Sequence, residues 1–290
     1  MLELIAGPLV ALALVADPPV AGATAEPPAA SADGGAAAVP ADDTLSRARL
    51  ERMLADGDTL WIVQVFRRRP GDVLPFVDHY LESGLESIEK GGDVDAAREG
   101  YRTAVRFAEL ANQAFGEVIF TEYAASFASW GELEQQRFRE GQRLYREARS
   151  KAKSSPEEAV ALHRRSLALA EPLGDAWGVA MNQLAIADLC LGLERFQEGH
   201  DAALKAMEVF GRIQLRPSYV RALTTCAKLR QALGFPDQGT GQLRMALTAL
   251  PAGAAPETRQ EIVDALLAAL ERVGRKDEAD RIRESERPRQ

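Results

Sequence analysis

Residues 156–163, PEEAVALH, carry the pattern that decides the fold. Their small residue belongs to a series with a period of about 40 residues, at Ala159, Gly199, Gly239 and Ala279. After the first three, the residues at +4 and +7 fall on the same helical stripe as the small residue. A small residue early in the second helix of a hairpin lets the two helix axes approach closely, and its stripe partners fill the crossing. The sequence therefore predicts stacked helix hairpins.

The rest of the chain from Thr44 onward has the same helical character. Ala, Leu, Glu and Arg dominate, and these are good helix formers. Gly and Pro divide the sequence into helix-sized segments of about 12–20 residues, with no run of alternating β-branched residues. This pattern predicts an all-α fold. Gly192 and Gly234 are separated by slightly more than one repeat, which predicts a longer turn around Leu193–Phe196.

The segment Gly92-Asp93-Val94-Asp95-Ala96-Ala97 matches a known repeat most closely. With the small residues at the packing positions, it resembles the tetratricopeptide repeat (TPR) family, in an extended form of about 40 residues seen in bacterial members. Residues 133–286 carry the resemblance well, residues 74–115 carry one more hairpin, and residues 44–69 match poorly. The family's Trp, its early Leu-Gly pair and its late Pro are mostly absent, so a related α-solenoid is the alternative.

The resemblance implies an α-solenoid, a right-handed superhelix of about five stacked antiparallel helix hairpins. In this family the first helices of the hairpins line a concave groove that binds peptides. The alignment places four polar residues at outward positions of those helices: Asn182, Arg221, Thr224 and Lys228. An Asn that bonds a peptide backbone beside Arg and Lys suits an extended segment with an acidic group. The alternative is an ordinary solvated helix face.

The sequence carries no motif of a known enzyme. It lacks a Walker loop, H-E-x-x-H, C-x-x-C and G-x-S-x-G, and it has only three His and two Cys. We therefore expect no enzyme activity, no cofactor and no metal site. A net charge of −8 argues against nucleic acid as a partner. The predicted function is a non-catalytic scaffold that binds a protein or peptide in its groove. The alternative is a ligand- or peptide-sensing solenoid that changes curvature on binding.

Several aromatic and polar residues are expected in the core rather than in a site. The stripe of Ile119, Tyr123, Phe127 and Trp130 predicts core packing. Phe120 falls off the stripe, so for this residue a position lining a groove is the alternative to the core.

His163 occupies a repeat-packing position, which favours a structural imidazole over a ligand or base. Cys190 and Cys226 lie on neighbouring first helices, where two buried thiols are the simpler prediction and a disulfide is the alternative.

The N-terminus differs from the rest of the chain. Residues 1–25 are predicted to be a signal peptide, because the apolar run Leu4–Ala16 is too short to span a membrane and Ala23-Thr24-Ala25 supplies a cleavage site. Residues 26–43 are predicted to be an Ala/Pro-rich disordered linker, residues 44–286 the repeat domain, and residues 287–290 a tail. The protein is thus expected in the periplasm or outside the cell, without an integral membrane span. Glu3 without a preceding Lys or Arg keeps the cytoplasm as the alternative.

Overall fold

The computed structural model describes residues 46–250 and 254–285, and all regular structure in them is helical. The predicted signal peptide, linker and tail lie outside these residues. No described helix is long and apolar enough to cross a membrane. The helices are α1 (Arg47–Asp56), α2 (Thr59–Arg68), α3 (Pro70–Glu89), α4 (Val94–Phe115), α5 (Ile119–Ala128), α6 (Glu132–Lys151), α7 (Pro156–Ala170), α8 (Ala176–Gly192), α9 (Phe196–Arg212), α10 (Arg216–Ala232), α11 (Pro236–Ala249), α12 (Pro256–Arg272) and α13 (Lys276–Ser285), with a 3₁₀ helix at Glu171–Leu173.

The helices from α6 onward form four hairpins packed in series, which confirms the all-α solenoid. The hairpins are α6/α7, α8/α9, α10/α11 and α12/α13, and each packs on the next through neighbouring helices. α3 and α4 form a fifth hairpin, as predicted. Three shorter helices, α1, α2 and α5, fall outside this scheme.

The predicted crossings are confirmed. The aligned small residues Ala159, Gly199, Gly239 and Ala279 are all buried. A Cβ built on Gly239 would lie 2.8 Å from the backbone oxygen of Ala227, and one on Gly199 would lie 3.3 Å from that of Ala187, the equivalent residue of the preceding repeat. Backbone therefore meets backbone at these crossings, and no side chain larger than hydrogen fits without displacement. The +4 and +7 residues are buried as well, including His163 and Ser166.

The turns follow a shorter period than the hairpins. Left-handed backbone recurs at equal steps of half a hairpin repeat, at Gly174 (φ 65°), Glu194 (φ 59°), Gln214 (φ 59°) and Gly234 (φ 88°), and again at Gly274 (φ 76°). The prediction of a longer turn around Leu193–Phe196 is wrong. Gly192 is the last residue of α8, and the left-handed position of that turn is Glu194. The three-residue turns after α8, α9 and α10 are equal in length.

The aromatic stripe of α5 is core, as predicted. Ile119, Tyr123, Phe127 and Trp130 are buried, but Phe120 is buried completely too. Core packing is therefore confirmed for Phe120 as well, and the alternative that it lines a groove is wrong. α5 packs against both α3 and α4, so it buries more than one face.

The two cysteines confirm the simpler prediction. Cys190 and Cys226 are buried free thiols on α8 and α10. Burial raises the pKa of Cys190 to about 11, and it raises that of Cys226 in the same direction. Both thiols therefore stay protonated at neutral pH and act as small apolar residues.

Candidate functional site

A cavity of about 340 Å³ lies between α3, α5, α6, α7 and α8. Its volume is at the small end of the range for ligand pockets. Three of these helices, α3, α6 and α8, are the first helices of their hairpins. We call this space the acidic cavity, because its lining includes the carboxyl groups of Asp78, Glu82 and Asp175. These residues come from one helix and one helix cap that are far apart in the sequence.

The three carboxyl groups differ in the hydrogen-bond donors that they meet. Glu82 accepts hydrogen bonds from Arg139 Nη1 at 2.7 Å and from Gln142 Nε2 at 2.6 Å, which also ties α3 to α6. Asp78 accepts a hydrogen bond from the hydroxyl of Tyr123. Asp175 caps α8, because its Oδ1 accepts the backbone N–H of Gly178 at 2.7 Å. Among the described residues, Glu82 is therefore the one of these three acids that forms an ion pair, although the charge of Arg139 also acts on Asp78.

The environment of the cavity raises the pKa of two of its acids above their usual values. Burial raises the pKa of Asp78 to about 7, and the nearby Glu82 and Asp175 carboxylates add to this effect. The Tyr123 hydrogen bond and the charge of Arg139 oppose it. Burial likewise raises the pKa of Asp175 to about 6 against the opposing Gly178 hydrogen bond. The buried Tyr123 has its pKa raised well above 10 by burial first and then by Asp78. The site thus contains carboxyl groups in need of a counter-charge.

The remaining walls of the cavity are mostly apolar. Phe138 and Leu173 are buried in its lining, while Tyr145, Trp177 and Met181 are half-buried and border it from α6 and α8. Aromatic rings and a thioether offer a surface for an aliphatic stem and a π face for a cation. The combination of acids and rings distinguishes this cavity from a simple packing defect.

A buried polar network forms one wall. Asn182 Oδ1 lies 2.9 Å from His163 Nδ1, and Asn182 Nδ2 donates to Ser166 Oγ at 3.0 Å and to the Gly178 oxygen at 2.9 Å. Ser166 Oγ in turn donates to the Gly141 oxygen at 2.9 Å. Burial lowers the pKa of His163, so its imidazole is neutral. The prediction that His163 is structural is confirmed, because it holds α7 to α8.

The structure places two of the four predicted groove residues in the interior. Asn182 is 2% exposed and Thr224 is 7% exposed, so the prediction that they face outward is wrong. Thr224 Oγ1 donates to the Val220 oxygen of its own helix at 2.9 Å. Asn182 does border the acidic cavity, but through the network that joins α7 and α8.

The two predicted cations do lie on the surface of α10, and both are paired across the hairpins. Arg221 forms an ion pair with Asp188 of α8, and Lys228 Nζ lies 2.9 Å from Glu261 of α12. Neither residue lines the acidic cavity. Since both charges already have partners, the case for an acidic segment along this surface is weakened. It stays a prediction.

The described residues contain no group of three or more His, Cys, Asp or Glu side chains arranged to hold a metal ion. This statement includes Asp78, Glu82 and Asp175 of the acidic cavity.

No protein-family model matches the chain, and no curated protein does. A solved structure titled "Crystal structure of BtubC (BKLC) from P. vanneervenii" is similar to it at 17% identity, over 83% of this chain and 95% of that chain, with a TM-score of 0.40. A likeness of this degree indicates nothing about function.

Sequence reasoning missed Asp78, Asp175 and Trp177 as site residues. The spacing Asp175-x-x-Gly178 is a recognisable helix N-cap, but nothing in it shows that the same carboxyl faces a cavity. Asp78 carries no local signal. Its role depends on the contact between α3 and α5, which only the folded chain provides.

Proposed function

We propose that this chain is a non-catalytic helical-repeat binding protein of the TPR type, which holds a peptide or protein partner by a side chain inserted into the acidic cavity. The observation that carries the proposal is the convergence of polar and aromatic groups from α3, α6 and α8 on one cavity. First helices supply most of these walls, and α5 and α7 supply the rest. A pocket of this kind, lined by first helices, also suits the sensing alternative.

The geometry supports binding rather than chemistry. Tyr123 donates to Asp78, the Gly178 N–H donates to Asp175, and Arg139 donates to Glu82. Each acid thus accepts a hydrogen bond within the fold and keeps further acceptor sites for a ligand. Ser166, the hydroxyl in the wall, donates to a backbone oxygen and accepts from Asn182 instead of facing a general base. The cavity thus offers recognition groups without an activated nucleophile among the described residues.

The test is selection of peptides from a displayed random library on the full chain. Two variants locate the binding surface: Met181→Trp, which fills the cavity from α8, and Lys228→Glu, which reverses a charge on the α10 surface. We expect enriched peptides to lose about tenfold or more in affinity for Met181→Trp and to bind Lys228→Glu within about twofold of the parent. Circular dichroism confirms that both variants are folded.

The alternative outcomes separate the hypotheses. Peptides that bind Met181→Trp but not Lys228→Glu overturn the cavity as the site and assign binding to the surface of the first helices. A library from which no sequence is enriched on the parent chain contradicts peptide binding itself.

One observation also favours the second candidate, a sensor that changes curvature. The acidic cavity is bounded by α3 and α5 on one side and by α6 and α8 on the other, so an occupant contacts both parts. Hydrogen exchange distinguishes the two functions. A scaffold shows added protection only around the cavity when the selected peptide binds, whereas a sensor also changes exchange in α10–α13.

A further inference from the structure

We infer that the acidic cavity binds an ammonium or guanidinium group carried on an aliphatic stem, such as the side chain of Lys or Arg. This inference rests on the proposed function and specifies the partner's chemistry. The charge of this ligand group is opposite to the charge that the α10 surface favours, since Arg221 and Lys228 would attract an acidic segment.

The missing counter-charge is the first reason. Asp175 is only 6% exposed, and neither it nor Asp78 has a Lys or Arg within 4.0 Å among the described residues. Their hydrogen-bond donors, the Gly178 N–H and the Tyr123 hydroxyl, are neutral. A buried carboxylate without a cation is costly, and a cation that enters the cavity removes that cost.

The walls supply the second reason. Trp177, Tyr145 and Met181 border the same cavity as the two acids. A methylene stem packs against such surfaces while its charged end reaches the carboxylates, and an aromatic face adds cation–π attraction. A cavity of about 340 Å³ is large enough for one long side chain and too small for a folded segment.

Two arginines at the edge of the acidic cavity limit which groups the ligand can carry in addition to its cation. Arg137 and Arg146 border the cavity from α6, are exposed, and pair with no carboxylate among the described residues. These arginines repel a ligand with a positive charge at both ends. They favour a ligand whose stem carries the cation at one end and carbonyl or carboxylate oxygens at the other. A Lys or Arg residue within a peptide has this polarity, whereas a free diamine does not.

The test uses three small probes on the full chain, followed by the fluorescence of Trp177 and its neighbours. The probes are N-acetyl-lysine methylamide, its uncharged analogue N-acetyl-norleucine methylamide, and 1,5-diaminopentane. We expect the lysine probe to bind at least about tenfold more tightly than the norleucine probe. The diamine should bind more weakly than the lysine probe.

Matched variants assign the effect to the cavity. Asp175→Asn keeps a helix-capping side chain but removes the charge, and we expect it to weaken the lysine probe about tenfold or more. Asp93→Asn is the control, because Asp93 caps α4 through the Asp95 and Ala96 N–H groups and does not line the cavity. It should leave the affinity unchanged.

Each remaining outcome has a definite meaning. Equal affinity of the lysine and norleucine probes, or full affinity in Asp175→Asn, overturns the cation site while peptide selection still tests the proposed function on its own. Tighter binding of the diamine than of the lysine probe supports the cation site and assigns it to a free amine, which overturns the peptide as its source.

Discussion

The helices before Gly131 and the helices after it fill their cores in different ways. In α1–α5 large rings occupy the interior: Phe66 and Phe107 are fully buried, and Phe107 meets Phe76 edge to face at 5.0 Å. In α6–α13 the crossings are made by glycine and alanine, and at Gly199 and Gly239 one helix touches the backbone of the next. Large side chains thus fill the core of the first region, whereas in the second region the backbones of neighbouring helices approach each other closely.

This difference determines what each region reveals in its sequence. Close approach needs a small residue at the same place in every hairpin, so it leaves a regular period in the sequence. Rings fill space from any direction, so α1, α2 and α5 leave no period, and only the hairpin of α3 and α4 carries the repeat pattern in this region. The acidic cavity lies where the two ways of packing meet, between α3 and α5 on one side and α6–α8 on the other.

The largest effect is expected from removing a ring from the first region. Phe107→Ala should lower the free energy of unfolding by about 3–5 kcal/mol, because it empties a site lined by other rings. Urea denaturation followed by circular dichroism measures this loss. The control is Phe235→Ala, since Phe235 is 53% exposed in a turn of the second region and should lose about 0.5 kcal/mol or less. A loss below about 1 kcal/mol for Phe107→Ala would show that the rings do not hold α1–α5 together.

A smaller effect is expected from adding a side chain at a crossing of the second region. Gly239→Leu should cost about 1–3 kcal/mol by overpacking, because its Cβ would meet the Ala227 oxygen at 2.8 Å and Gln231 Cγ at 2.9 Å. Gly241→Leu, on the same helix, is the control. A Cβ at Gly241 has no atom within 4 Å, so better helix propensity should stabilise the fold by about 0.5–1 kcal/mol. Identical melting temperatures for the two variants contradict the assigned crossing.

The boundary between the regions should make stability depend on pH. Asp78 has a pKa of 3.8 in the unfolded chain and about 7 in the fold, so at pH 5 the folded state retains a proton that the unfolded state has lost. This contribution disappears as the pH rises through 7, and Asp78 alone should lower the free energy of unfolding by about 1 kcal/mol per pH unit between pH 5 and 7. Asp175, whose pKa is raised to about 6, should add to the decline in the lower part of this range.

Asp78→Asn isolates this contribution while keeping an acceptor for Tyr123. The neighbouring Glu82, Arg139 and Asp175 are unchanged in it, so only the Asp78 proton is removed. Urea denaturation at pH 5, 6, 7 and 8 should give a shallower decline for this variant than for the parent. Parallel curves would mean that Asp78 is ionised in the fold throughout this range.

The smallest effect is expected on the surface of the second region. Lys228→Gln removes an exposed ion pair with Glu261, and it should change the free energy of unfolding by about 0.5 kcal/mol or less, with less effect at high salt. Unfolding midpoints at two ionic strengths measure this. A loss near that of Gly239→Leu would mean that ion pairs, and not crossings, join the hairpins.

The second region could be predicted from sequence where a single contact repeats. Gly199, Gly239 and Ala279 mark their crossings because each meets an equivalent partner helix. The sequence could not predict which side chains face outward on a helix that packs against several others. α8 packs against α7, α9 and α10, and α10 contacts α8, α9, α11 and α12, so Asn182 and Thr224 lie inside although an outer face was expected for them.

The acidic cavity could not be predicted because no local pattern brings its parts together. Asp78 and Asp175 are far apart in the chain and share a cavity only after α3 and α5 meet α6–α8. The same reason explains Phe120. A short helix packed against both α3 and α4 buries several faces, and one stripe in the sequence describes only one of them.

The left-handed residues recur at a constant interval, so the turns of the solenoid have a fixed spacing along the chain. Glu194, Gln214 and Gly234 each occupy the second position of a three-residue turn. A duplicated hairpin repeat would therefore join its copy with every crossing aligned. A single residue inserted in one turn would shift the next helix relative to the preceding hairpin, so that its small residue no longer meets the crossing. The architecture therefore tolerates growth or loss by whole hairpins and resists change by smaller steps, which restricts how the length of such a chain evolves.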